Sequence, residues 1–260
     1  MKNDQAGDRP QDPRHVYANP LEPTICPILA LGVYWSMFTF DQANGRFFLG
    51  GSQYDRFRKQ LGRTFNQDDV SNELKRRAVK PDEIGTPSLR KGAATFASSG
   101  STACPSSTTV NLRAGWSLGG VQNTYLRYEA AGDMHVGRTV TGLPTDSHTF
   151  ACLPPHLSSC DDQVEQAISI AFPRSPASIH YILEYALASL VYLREYLKKR
   201  FQPHGLFYTP LFTTNTMLTE LADRLQGGTL QPLRSDQLAS LLMLLSSPTW
   251  RPYSRASYKQ

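Results

Sequence analysis

Three residues stand at a spacing that suits phosphodiester chemistry. Arg90 lies near the start of a small-residue segment, Trp116 directly follows a glycine, and Tyr125 comes nine residues later. Phosphodiester transfer without a metal ion needs a nucleophile that can hold a covalent phosphate, and a Tyr hydroxyl can serve. A cation must neutralise the equatorial oxygens as charge builds, which suits the bidentate fork of Arg. A ring N–H from His or Trp can hold a non-bridging oxygen, and a proton donor such as Lys helps the 5′-oxygen leave. Arg90, Trp116 and Tyr125 supply three of these parts in order. Bland alternatives stand beside this reading. Trp116 and Tyr125 also read as core aromatics, and Arg90 as a buried ion-pair partner. Tyr128 is a competing nucleophile on the neighbouring helical face, and Tyr125 is preferred for its spacing from Trp116.

Other chemistries find less support. The serines at 36, 117 and 98–101 lack a G-x-S-x-G setting, and no Gly-rich phosphate loop is present. Cys26, Cys104, Cys152 and Cys160 form no C-x-x-C pair, so free thiols are expected, with no metal and no cofactor. His135 and His148 fall in loop-like sequence and read as surface residues.

The motif order resembles the tyrosine recombinases, which include phage integrases and the Crypton-type recombinases of eukaryotic mobile elements. Those enzymes carry His-x-x-Arg on a helix, then Gly-His or Gly-Trp, then the nucleophilic Tyr nine residues on. This chain reads Pro87-Ser88-Leu89-Arg90, Gly115-Trp116 and Tyr125. RKGAATFASSG is similar to the small-residue helix of that family, and the resemblance covers roughly 1–142. It implies a DNA breaking and rejoining function through a phosphotyrosyl intermediate, an integrase-like catalytic core, and DNA as partner. It also assigns the general acid to a hairpin Lys, for which Lys2 stands in the expected place; an ordinary N-terminal Lys is the equal alternative. Two departures point to impaired activity. The first catalytic Arg of the family lies well upstream of the hairpin Lys, and only Met1 precedes Lys2, so the chain reads as N-terminally truncated. Pro87 occupies the His position and has no ring donor. The alternative is a non-catalytic helical module that binds DNA or protein.

The basic charge has a location. The chain carries a net charge of +5. Between Arg56 and Lys91 there are ten basic and five acidic residues, an excess as large as that of the whole chain. Arg56, Arg58, Lys59, Arg63 and Lys91 are the candidate DNA-contacting residues; solvated helix faces are the alternative. At 40% hydrophobic and 19% charged, the 260 residues can bury a core. No apolar run is long enough to span a membrane, and the polar first residues do not read as a signal peptide. The expectation is a protein that is not secreted, nuclear in a eukaryote and otherwise cytoplasmic.

The elements that must position these residues read as mainly helical, with a small β-hairpin or short strand near the N-terminus. The strand is expected at 15–18. Helices are expected over 25–40, 52–65, 68–79, 86–98, 108–114, 121–131, 161–172, 178–201 and 235–246. The helix over 52–65 has Tyr54, Phe57, Leu61 and Phe65 at helical spacing. Thr86 reads as N-cap with Pro87 at the first helical position. The expected organisation is a partial catalytic-like domain over 1–143, a linker over 144–160, a helical extension over 161–247 and a tail over 248–260. The 178–201 helix either completes the core or packs on a neighbouring protomer in a homo-oligomer.

Overall fold

A computed structural model describes residues 14–40, 48–116, 130–201 and 203–227. The protein is mainly helical, with one two-stranded antiparallel sheet among the described residues. The chain divides into two compact units. Among the described residues the first comprises 14–15, 50–116 and 130–140; the second comprises 16–40, 48–49, 141–201 and 203–227.

In the first unit, α2 (Gln53–Phe65) and α3 (Asp68–Arg76) form a small layer. Phe65, Leu74, Val79 and Ile84 make its core, with Leu61 and Val70 packed against it. The apolar stripe of α2 is therefore only half used, because Tyr54 and Phe57 stay exposed at 60% and 49%. Three further helices, α4 (Thr86–Ser99), α5 (Ser107–Ala114) and α6 (Ala130–Val140), pack around Ala97, Val110 and Val136. Small residues allow this close packing, and Gly92 and Ala97 are buried on α4. The α4 N-cap is Gly85, one residue earlier than expected. Ser88 Oγ accepts its backbone N–H at 3.2 Å, and Pro87 sits in the first turn. Ser106 caps α5, its hydroxyl accepting from Thr109 N–H at 3.2 Å.

In the second unit, α1 (Pro27–Met37) packs against α8 (His180–Tyr192). The approach is close enough that a Cβ at Gly32 would stand 3.1 Å from the Ala186 carbonyl oxygen. Around this pair lie α7 (Asp162–Ala171), α9 (Arg194–Phe201), α10 (Pro210–Thr213) and α11 (Asn215–Asp223). Strands β1 (His156–Leu157) and β2 (Leu225–Gln226) pair with His156 opposite Gln226 and Leu157 opposite Leu225. Leu183, Leu187, Leu190 and Leu197 are fully buried in this unit's own core. Buried Asn19 braces the unit's first turn: its amide donates to Thr141 O at 2.7 Å, and its Oδ1 accepts from Leu21 and Glu22 N–H. Next to it Gly142 has φ +80, and a Cβ there would stand 2.4 Å from Ile25 Cδ1.

Three expectations are corrected. Residues 15–18 are irregular and not a strand. The cause is visible at His15, whose backbone N–H and C=O are taken by the side chains of Asp133 and Arg113. The single helix over 178–201 is interrupted at Leu193, which separates α8 from α9. Its hydrogen-bond ladder runs on, with Leu193 N–H bonded to Ser189 O and Leu197 N–H to Leu193 O. His135 lies on α6 and not in a loop, with Nε2 3.1 Å from Ala103 O. Lys2, Tyr125, Tyr128, most of the 121–131 helix and the whole 235–246 helix lie outside the described residues.

Candidate functional site

The first unit brings together two of the residues singled out for phosphodiester chemistry. Arg90 projects from the second turn of α4, and its Nη2 donates to the carbonyl oxygen of Ala114 at 2.6 Å. Ala114 is the last residue of α5. Gly115 follows with φ +68, the left-handed conformation that a glycine adopts without a Cβ penalty. Its N–H bonds to Leu112 O at 3.1 Å, and the N–H of Trp116 bonds to Asn111 O at 2.9 Å. This pair of bonds ends the helix and fixes the direction in which Trp116 leaves it. Arg90 and Trp116 are thus held at one helix end, although 26 positions separate them in sequence.

Neither residue fits its bland alternative. Arg90 is exposed, and its described bond is to a carbonyl and not to a carboxylate. Trp116 is 39% exposed, so it is not a core aromatic. The backbone carbonyl uses one Nη donor of Arg90, and a guanidinium has five N–H donors. The exposed remainder of the fork can take an anionic oxygen pair.

The basic residues sort into two kinds. On α3, Glu73 pairs with Arg76 and, at 2.6 Å, with Arg77. Those two arginines hold the Glu73 carboxyl below its usual range, so this part of the charge run is partly neutralised locally. On α2, Arg58, Lys59 and Arg63 are exposed and enter no ion pair among the described residues. The Arg58 guanidinium sits 5.7 Å from the ring centre of Tyr54. Arg56 and Lys91 are exposed as well. The Tyr54 hydroxyl lies 3.5 Å from Thr86 Oγ1, which sets the start of α2 beside the start of α4. Arg90 is one turn further along α4 than Thr86.

Sequence reading missed a buried hub behind this surface. Asp133 on α6 is only 3% exposed. Its carboxylate accepts from Arg113 Nη1 at 2.7 Å and from His15 N–H at 2.8 Å, and it meets the His15 ring at 2.9 Å. Arg113 Nη2 also donates to His15 O at 2.7 Å, and Arg14 Nη2 to Leu112 O at 3.1 Å. No local pattern signals this hub, because its members come from three separate segments.

Burial pushes the Asp133 carboxyl up. The His15 N–H and ring and the Arg113 guanidinium outweigh that and leave it below the ordinary carboxylate value. The sign of the pH effect follows. A folded-state value below the unfolded one means that the folded protein binds fewer protons as pH drops. The stabilisation is complete above the unfolded value of about 4 and is lost as pH falls through the lower folded value. Urea midpoints of the wild type are expected to fall steeply below about pH 4. Asp133→Asn should be less stable at neutral pH and lose part of that acid dependence; an unchanged acid profile in that variant would sink the assignment.

Among the described residues, no group of three or more His, Cys, Asp or Glu side chains is placed to hold a metal ion. No described helix is long and apolar enough to cross a membrane. Cys160 is a poor nucleophile at neutral pH, since the neighbouring Glu184, burial and Glu165 push its thiol up to about 12. Against known proteins, no family model, curated protein or solved structure matches the chain.

Proposed function

We propose that the chain is a DNA-binding protein of the tyrosine recombinase type, and that the end of α5 in the first unit receives a DNA phosphate. The observation that carries this reading is the 2.6 Å bond from Arg90 to the Ala114 carbonyl, which sets the arginine beside the Gly115-Trp116 turn. In the proposed reaction Tyr125 Oη attacks a backbone phosphorus and passes its proton to a solvent water. The bond to the 5′-oxygen breaks, leaving a 3′-phosphotyrosyl link and a free 5′-hydroxyl that takes its proton from Lys2. Arg90 neutralises the non-bridging oxygens as charge builds, and the Trp116 ring N–H donates to one of them. The exposed cations of α2 and Lys91 hold the flanking phosphates.

A suicide DNA substrate, nicked so that the cleaved end diffuses away, tests the chemistry. The expected result is a covalent protein–DNA adduct that disappears in Tyr125→Phe. An adduct that persists in Tyr125→Phe removes Tyr125 from the role.

A second reading is a DNA-binding module with no catalysis. Pro87 favours it, because a residue without a ring donor stands one turn before Arg90, in the first turn of α4. That reading predicts no adduct from the wild type, together with binding that weakens steeply with salt.

A further inference from the structure

The last turn of α5 is gripped from two sides. On one side Arg90 takes the Ala114 carbonyl. On the other, Arg14 takes the Leu112 carbonyl, while the Arg113 side chain is locked between Asp133 and the His15 carbonyl. The residues that carry the candidate site, Ala114 to Trp116, are the direct continuation of this turn. Asp133 supplies the carboxylate to these contacts, with Arg113 Nη1 at 2.7 Å and Arg14 Nε at 4.0 Å.

We infer that Asp133 is a positioning residue for the Arg90–Trp116 site: through the Arg113 guanidinium it sets the last turn of α5, and so the place where Arg90 docks and Trp116 emerges. This rests on reading that site as a phosphate site. The Asp133 carboxylate itself touches no substrate. The half-buried Arg113 fork is held by the Asp133 carboxylate and by the backbone carbonyls of Asp133, at 3.3 Å, and His15, and a side chain so fixed transmits position to the backbone that bears it. Removing the carboxylate charge leaves Arg113 without its charged partner, and the guanidinium must then find water or another acceptor. The α5 end would shift with it, and with that end the Ala114 carbonyl and the Trp116 ring.

The test is a comparison of indole N–H signals in nitrogen-15 NMR spectra of the full chain. The three tryptophans are Trp35, Trp116 and Trp250. The Trp116 signal is identified by Trp116→Phe and the Trp35 signal by Trp35→Phe. Trp35 lies in the core of the second unit and serves as the internal control. In Asp133→Asn the Trp116 signal is expected to move in the free protein while the Trp35 signal stays. Adding a short DNA duplex should shift the Trp116 signal of the wild type and shift that of the variant much less. A folded variant whose Trp116 signal matches the wild type overturns the inference. Because Asp133→Asn removes a buried charge, Arg113→Lys provides the second arm: it keeps a cation for Asp133 but loses the fork that also holds the His15 carbonyl. It should move the Trp116 signal in the same way. Loss of all dispersed signals of the first unit in both variants would assign Asp133 a purely structural role and overturn the inference too. A wild-type Trp116 signal indifferent to DNA sinks the phosphate reading instead, and the free-protein comparison still decides the role of Asp133.

Discussion

Replacing Arg58, Lys59 and Arg63 together with glutamine is expected to weaken DNA binding on the order of 100-fold at low salt. These side chains are exposed on α2 and enter no ion pair among the described residues, so their charge is available to a polyanion. Each phosphate contact releases counterions and adds roughly 0.9 to the slope of log affinity against log salt. Losing three contacts should therefore flatten that slope by about 3. The fold should tolerate the change, because glutamine is a good helix former and exposed positions contribute little packing. The Arg58–Tyr54 stacking that is lost is worth about 0.5–1 kcal/mol at an exposed site.

The control is as informative as the variant. Arg76 and Arg77 belong to the same stretch of sequence, but both are engaged by the Glu73 carboxylate. Glutamine at those two positions should leave both affinity and salt slope nearly unchanged. Losses in proportion to the charges removed, three against two, would mean that net charge alone governs binding and that α2 is no special surface. Full affinity in the α2 variant would remove α2 from the interface.

Amphipathic periodicity made most of the helices legible. The 52–65, 86–98 and 161–172 patterns appear as α2, α4 and α7 within a residue or so at each end. Local caps are the reason, since Ser88, Asp161 and the first-turn Pro87 act within a few residues of themselves. What failed depended on distant partners. The 15–18 segment has strand-like residues, yet Asp133, more than a hundred positions away, takes the backbone donor that a ladder would need. The α6 helix was hidden by Gly132 and Gly137, which lower helix propensity; Gly137 is buried in it. The apolar stripe of α2 promised a helix buried along its length, but its layer has side chains enough to cover only Leu61 and Phe65.

The site divides in the same way. The residue types at 90 and 116 were readable from motif order, because chemistry limits which side chains can neutralise or hold a phosphate. Their meeting at one helix end was not readable. It depends on a hydrogen bond across 24 residues and on the left-handed turn at Gly115. The supporting layer of Arg14, His15, Arg113 and Asp133 was invisible, since a buried salt-bridge hub has no sequence period.

Pro87→His is expected to raise the yield of covalent adduct on the nicked substrate, with a gain on the order of 100-fold in rate. Position 87 lies three residues before Arg90, so the two share one face of α4. A histidine there places a ring N–H beside the guanidinium, where it can donate to the non-bridging oxygen that proline leaves unserved. Losing one such donor costs an acyl-transfer enzyme roughly 100- to 1,000-fold, and restoring one at a preorganised site should return a comparable factor. The cost to the fold is small. Proline suits the first turn through its preset φ and dispensable N–H, but histidine is tolerated there, and position 87 is exposed. DNA affinity should hardly change, because the added donor acts on charge that develops during the reaction and not on the bound ground state. A gain in adduct that also requires Tyr125 would identify an impaired recombinase and this donor as one of its missing parts. No adduct from either wild type or Pro87→His, with salt-steep binding intact in both, would favour the purely DNA-binding module. An adduct of equal yield in both would show that residue 87 does not face the phosphate, and the alignment of Pro87 with the ring-donor position would have to be abandoned.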